Sequence, residues 1–329
     1  MTARAFLLAA GRGMRFRPVT ERIPKPLIPF LNVPLARAHL ERMKAAGVAQ
    51  AGVNLHHLGD KVEQSLAEGT ADLPELRFFR EPKILGTAGA LRHARDFLEG
   101  AGDDFFVVAA DAAIEADFAA LESAHRASGR PATLLVVENR EPKRYTPLQA
   151  EGDRITAFGG SGPDPLLYTG VAVLSPGLLA RIPGGETGLV ADLCEPLLRE
   201  NPRAIGLLRH EGPFAELGRP SDFLRASLEA LDRGGPFPDG AGTFDAERRV
   251  LSLAAAGKLE AWRSVIGAAS IAGGARVRDS VVWSGVGIGS HADLRNCVAA
   301  GGRIPAGARH EGVLLWPGKD GVTAAYPLS

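Results

Sequence analysis

Two glycines one residue apart, Gly11 and Gly13, follow directly on a short apolar run from Ala5 to Ala10, and Arg15 and Lys25 come next. Glycine lets backbone approach a ligand closely, so that N–H groups can be aimed at phosphate oxygens. Arg15 and Lys25 add two positive charges to that turn. A strand, a glycine turn and two cations suit a polyphosphate. The dinucleotide fingerprint is excluded, because its third glycine would stand where Phe16 stands. The P-loop is excluded too, since four residues do not separate the glycines and no Gly-Lys-Ser/Thr follows. A bare Gly-x-Gly after a strand also fits an ordinary tight turn, so other parts of a site have to be found.

Three later stretches carry further candidates. Glu81-Pro82 leads into Leu85-Gly86-Thr87-Ala88-Gly89-Ala90-Leu91, a small-residue loop opening a helix from Ala88 to Leu98. It reads either as a close-packed strand-to-helix turn or as a wall offering helix N-terminal N–H groups and the Thr87 hydroxyl to a ligand. Phe105 to Asp111 is a strongly apolar strand ending in an acid. An unpaired carboxylate at a buried strand end is costly, so a cation partner is expected, although an acid capping the next loop fits as well. Pro213 to Pro220 places a second acid, Glu216, before a helix that runs to about Leu231.

The elements that position these residues alternate between strand and helix. Ala5–Ala10, Ala51–Leu55, Leu76–Arg80, Phe105–Asp111 and Thr133–Glu138 read as strands. Helices are read from Pro34 to Ala46, Lys61 to Ala67 and Phe118 to Ser128. This pattern predicts an α/β fold, a Rossmann-like and mostly parallel sheet flanked by helices, with ligands at the carboxyl ends of strands. Gly234 to Gly242, rich in Gly and Pro, reads as a linker. Beyond it Ile271, Ile288 and Ile304 stand 17 and 16 residues apart, and Ile266, Val282, Val298 and Leu314 each 16. Apolar positions repeating between glycine turns predict a β-solenoid of about three coils. The division expected is residues 1–233, a linker at 234–249 and a solenoid at 250–329.

Bulk composition narrows the class. With 38 Lys+Arg against 38 Asp+Glu in 329 residues, no net positive charge or basic block suggests nucleic acid. The two cysteines, Cys194 and Cys297, lie on either side of the expected linker and give no disulfide framework, which points to a reducing cytoplasm. No stretch approaches the roughly 20 apolar residues that span a membrane. Nor does any Ser-His-Asp or Cys-His arrangement suggest nucleophilic catalysis.

The string LAAGRGMRFRPVTERIPKPL resembles the signature of the sugar-1-phosphate nucleotidyltransferases, the enzymes that make NDP-sugars. EP..LGTAGAL resembles the same family, most closely its mannose-1-phosphate guanylyltransferase branch, several members of which carry a C-terminal left-handed β-helix. The resemblance implies the nucleotide-diphospho-sugar transferase fold, with an NTP and a sugar 1-phosphate as partners. It implies nucleotide contacts from Leu8, Ala10, Gly11, Gly13, Glu81, Gly86 and Thr87, and a place for Gly170 beside the sugar. Arg15 would stabilise the departing pyrophosphate and Lys25 would hold phosphates. Asp111 would hold Mg²⁺, and Glu216 stands where the family's second metal ligand, an Asp, is expected. The chain departs from the family at Ala110 (Gly), Thr146 (Gly of a Tyr-Gly pair) and Glu216. Phe158 to Pro163 also lacks the family's Glu-Lys-Pro.

The expected function is nucleotidyl transfer of the EC 2.7.7 type, with GTP and mannose 1-phosphate favoured. A uridylyl- or thymidylyltransferase of the same family and a nucleotide-sugar-binding regulatory subunit without turnover are the alternatives. His291 and His310 raise the acyltransferase chemistry of other solenoids, but three coils offer little surface for an acyl-donor groove. Packing against the first domain or self-association is the role expected of the solenoid.

Overall fold

The computed structural model describes residues 4–100, 103–162, 165–234, 240–253, 259–318 and 321–328. Residues 235–239 of the expected linker lie outside the described residues, as does Pro163. Two compact units emerge: Met1–Arg12 with Ala36–Phe214, and Gly13–Leu35 with Ala215–Ser329. These boundaries follow contact, whereas the sequence division at 233 and 249 follows composition. By contact, Gly13–Leu35 and the helix after Glu216 belong with the solenoid.

The first unit is a nine-stranded sheet with helices packed on it. Its strands are β1 (Arg4–Leu8), β2 (Gln50–Leu55), β3 (Glu75–Arg80), β4 (Phe105–Ala109), β5 (Ala132–Glu138), β6 (Leu148–Glu151), β7 (Arg154–Phe158), β8 (Leu166–Leu174) and β9 (Ile205–Arg209). Their order across the sheet is β3-β2-β1-β4-β8-β5-β9-β7-β6. From β3 to β4 all pairings are parallel, while β8 runs antiparallel to both β4 and β5. The helices include α1 (Leu35–Ala45), α2 (Gly59–Ala67), α3 (Gly86–His93), α4 (Arg95–Glu99), α5 (Phe118–Ser128) and α6 (Glu195–Glu200). The expected helix over 88–98 is thus two, breaking at Ala94. β1 and β4 are continuous apolar runs because each is covered on both faces: Ala5, Phe6, Leu7, Phe105, Val107 and Val108 are fully buried. Strand order reverses between β1 and β4, where crevices open at the carboxyl ends of α/β sheets. Leu8 pairs with Ala109 there, so Ala9–Gly11 and Ala110–Asp111 leave neighbouring strand ends.

The second unit is built on three sheets of parallel rungs. One face stacks 250–252, 264–266, 281–282, 298–299 and 313–317, a second 260–262, 276–278, 293–295 and 309–311, and a third 270–271, 287–288 and 303–304. Chain returning to each face after 16 or 17 residues is the pairing of a β-helix. Ile271, Ile288 and Ile304 form one ladder as expected. The other ladder differs by one place after Val282: Val282 pairs with Ala299, and Val298 with Val281 and Leu314. The cause is one extra residue in the turn at Trp283–Val286, where the neighbouring coils have four-residue steps between faces and this coil has five. One corner of each coil is occupied by Arg263, Asp279, Asn296 or Gly312, all at positive φ. The next residue inward is Ser264, Ser280 or Cys297, all buried, and the Ser280 and Cys297 N–H groups donate to the preceding serine's Oγ at 3.2 and 3.0 Å. Those serines thus satisfy backbone donors that the corner would otherwise leave unpaired.

Helix α7 (Pro220–Arg233) packs in this unit with Phe223, Leu224, Leu228 and Leu231 buried. At its carboxyl end Asp232 accepts from Arg263 Nε of the β-helix at 2.9 Å and from Arg249, just before the first rung, at 3.0 Å. At its amino end Ser221 N–H donates to the carbonyl of Leu328 at 2.9 Å.

Candidate active site

In the first unit the candidate residues are joined by buried hydrogen bonds. Ala9 N–H, one residue past β1, donates to Asn54 Oδ1 at 2.6 Å, and Asn54 Nδ2 donates to Glu81 Oε1 at 2.8 Å. The other Glu81 oxygen accepts Leu85 N–H at 2.9 Å. Asn54 and Glu81 are each only 4% exposed. Glu81 therefore ties the glycine loop to the start of α3 and spends both carboxylate oxygens doing so. Asn54 went unnoticed in the sequence; its signal is a lone amide inside the apolar strand β2, where an unpartnered polar group would be costly.

The amino end of α3 is latched by a segment that the sequence reading did not connect with it. Thr187 carbonyl accepts Ala88 N–H at 3.0 Å and Gly89 N–H at 3.3 Å, and Thr187 N–H donates to Leu85 carbonyl at 2.8 Å. Leu189 N–H donates to Thr87 Oγ1 at 2.7 Å. The helix donors assigned to a ligand from sequence are thus engaged within the protein at Ala88 and Gly89. Gly86 has φ +75°, and a Cβ there would lie 2.3 Å from the Thr187 carbonyl oxygen. The close-packing reading of this loop accounts for its small residues.

Asp111 sits half-buried in the turn after β4. The next residue's carbonyl, Ala112, accepts from His39 Nε2 of α1 at 2.8 Å. Burial lowers the His39 pKa to about 4, so the imidazole is neutral and that nitrogen carries the proton. Gly170 lies in β8 at a register shift, beside Ala109, where a Cβ would come within 2.7 Å of the alanine methyl. Leu8 and Asp111 thus lie at and just past the ends of β1 and β4, and Gly170, in the middle of the adjacent β8, lies beside the end of β4.

The cations of the signature are in the second unit. Gly13 has φ +59°, and a Cβ would lie 2.8 Å from Thr20 Cγ2, whose Oγ1 donates to Gly13 carbonyl at 2.8 Å. The Gly13–Thr20 contact folds the loop into short 3₁₀ turns, Met14–Phe16, Val19–Glu21 and Lys25–Leu27. Lys25 is 6% exposed, whereas the Arg15 side chain is 51% exposed. Arg15 Nη2 donates to Glu216 Oε1 at 2.8 Å. The acid read as a metal ligand is thus the partner of the arginine read as catalytic. A Glu reaches one methylene further than the family's Asp.

Residues 4–159 match the model of the nucleotidyl transferase family. A protein of Oryza sativa subsp. japonica described as probable mannose-1-phosphate guanylyltransferase 1 is 30% identical over 246 residues, covering 71% of this chain and 67% of that protein. The chain belongs to the sugar-1-phosphate nucleotidyltransferase family. Mannose-1-phosphate guanyltransferase beta-B of Xenopus laevis is 29% identical over 230 residues, covering 67% of this chain and 62% of that one. The chain thus spans 62–67% of the length of these curated relatives. A crystal structure of HddC from Yersinia pseudotuberculosis complexed with GMP-PN matches with a TM-score of 0.57 and 21% identity, over 70% of this chain and 100% of that one. That likeness is one of fold. In family terms, the matched residues 4–159 hold the glycine loop, the Glu81–Thr87 stretch and Asp111, whereas Gly170 and Glu216 lie beyond them. No helix among the described residues is long and apolar enough to cross a membrane.

Proposed function

We propose that this protein transfers a nucleoside monophosphate from an NTP to a sugar 1-phosphate, giving an NDP-sugar and pyrophosphate, and that it does so in the cytoplasm. The observation that carries the reading is the signature loop itself: it leaves β1 at the switch point, next to the strand end that bears Asp111. A phosphate oxygen of the sugar 1-phosphate attacks the α-phosphorus, and the bond from that phosphorus to the pyrophosphate oxygen breaks. The attacking phosphate is largely a dianion near pH 7, its second pKa being about 6, so no general base is required. The barrier is then alignment and charge repulsion, which fixed cations and backbone donors lower.

Arg15 takes the charge of the departing pyrophosphate, and Lys25, held in a buried turn, orients the phosphates. Leu8, Ala10, Gly11 and Gly13 form the backbone floor under the nucleotide. Gly86 and Thr87 form its side wall, whose position Glu81 sets. Gly170 leaves room beside the sugar. The carboxylate oxygens present suit a hard cation such as Mg²⁺. Asp111 would hold it, and when bound it would neutralise phosphate charge. Glu216 would join as a ligand only by sharing its carboxylate with Arg15.

GTP and mannose 1-phosphate are the substrates proposed, supported by the names of the relatives and by the LGTAGAL string. Pyrophosphate release measured over a panel of NTPs and sugar 1-phosphates tests the reading. Release with at least one pair is expected, fastest with GTP and mannose 1-phosphate. An NDP-sugar that raises the melting temperature, with no release from any pair, would instead make this a regulatory binding subunit.

A further inference from the structure

The β-helix is joined to the phosphate loop by one run of aromatic rings. Phe16, the residue after Arg15, meets Phe223 of α7 edge-on with centroids 5.9 Å apart, and Phe30 meets the same ring at 6.3 Å. On its other side Phe223 meets Trp283 edge-on at 5.9 Å. Phe16 and Phe223 are fully buried and Trp283 nearly so. Trp283 stands at the start of the turn that carries the extra residue of the β-helix, so the irregular coil also reaches α7.

Two further ties run along the same body. Asn32 Nδ2 donates to the carbonyl of Ile266, a β-helix rung, at 3.4 Å and to that of Ala241 at 3.1 Å. Ala241 N–H returns a bond to Leu31 at 2.9 Å. Helix α7 is pinned at its ends by Leu328 and by the Arg249–Asp232–Arg263 cluster. With its helix fixed at both ends, Phe223 presents a rigid face to Phe16. Arg15 is exposed, its guanidinium is held by Glu216 at 2.8 Å, and its one neighbour in sequence that is buried is the ring seated on that face.

We infer that Trp283, acting through Phe223 and Phe16, is a positioning residue for Arg15, and that the β-helix is thereby a working part of the donor-phosphate site. The inference rests on the reading of Arg15 as the group that takes the pyrophosphate charge. A misplacement of about 1 Å in such a group costs on the order of a hundredfold in rate. Loosening the stack should therefore act on kcat more than on substrate binding.

The test compares full-length variants by steady-state kinetics of pyrophosphate release, with folding checked by circular dichroism and thermal melting. Trp283→Leu should lower kcat about tenfold or more while KM for the sugar phosphate stays within about twofold. Trp283→Phe, which keeps a ring, should recover most of that loss. Val298→Ala, a buried change in the next coil, should lower the melting temperature yet keep kcat within about twofold. In an Arg15→Ala background Trp283→Leu should add little, because both remove the same contribution. Should Trp283→Leu not fold, Phe16→Leu carries the same expectation from the other end of the stack. If Arg15→Ala itself turns over at the wild-type rate, the functional reading fails. If Arg15→Ala is impaired but Trp283→Leu is normal, or the two effects simply multiply, the positioning inference fails.

Discussion

The two units brace the surroundings of their candidate residues by different means. In the sheet unit, hydrogen bonds join residues close to one another in the fold's own order: Ala9 to Asn54, Asn54 to Glu81, Glu81 to Leu85. In the β-helix unit, ring packing joins Phe16 to Phe223 and Phe223 to Trp283, across more than 200 residues of chain. The first arrangement is directional and fails when one partner is lost, because a buried donor or acceptor is then stranded. The second is a packing arrangement that tolerates substitution by shape and size.

Substitutions can break this contrast, beginning with the strongest. Gly86→Ala combines a positive-φ backbone with a Cβ placed 2.3 Å from the Thr187 carbonyl oxygen. Backbone strain and overpacking together should cost about 3 kcal/mol or more, read as a fall in denaturant midpoint. Nearly as large is the effect of acid on His39. Its folded pKa of about 4 lies below the usual 6.5, so the unfolded chain binds the proton more tightly between those values. Stability should therefore be unaffected above about pH 6.5 and fall by about 3 kcal/mol as pH drops to about 4. His39→Gln keeps a donor for the Ala112 carbonyl and should flatten that slope in urea titrations at successive pH values.

Asn54→Ala should cost about 2 kcal/mol, since it strands Ala9 N–H and one oxygen of Glu81. It should also raise KM for the NTP, because it loosens the Ala9 end of the proposed nucleotide floor. The smallest effect belongs to the β-helix unit. Hydrogen bonds from Arg263 hold the Asp232 carboxyl below its ordinary range. A depressed folded value gives stability that is complete above about pH 4 and is lost as pH falls through the folded value. Asp232→Asn should thus cost about 0.5 kcal/mol at neutral pH, for a partly exposed cluster, and next to nothing near pH 2.

The contrast also explains what could be read from sequence. β1, its glycines and the strand ending at Asp111 are legible because burial on both faces writes a continuous apolar run, and because a phosphate turn needs glycines and cations at short spacing. The β-helix is legible from its period of 16 or 17, though a ladder counted strictly by 16 misses the extra residue after Val282. The helix donors of Ala88 and Gly89 were misjudged because Thr187, their acceptor, lies about a hundred residues away and carries no motif. Phe223 and Trp283 look like any core aromatics. Likewise, nothing in the local string around Arg15 or Glu216 shows that the two side chains meet. Pairings of that kind are written only in three dimensions.

The central claim, that the signature loop does the chemistry of a nucleotidyl transfer, is tested most directly by pyrophosphate release from Arg15→Ala. The substrates are the pair the wild type turns over, and melting temperature is recorded in parallel. The account predicts a loss of about a hundredfold or more in kcat with an unchanged fold, as expected when one preorganised charge at a leaving group is removed. Turnover of Arg15→Ala at the wild-type rate would contradict it.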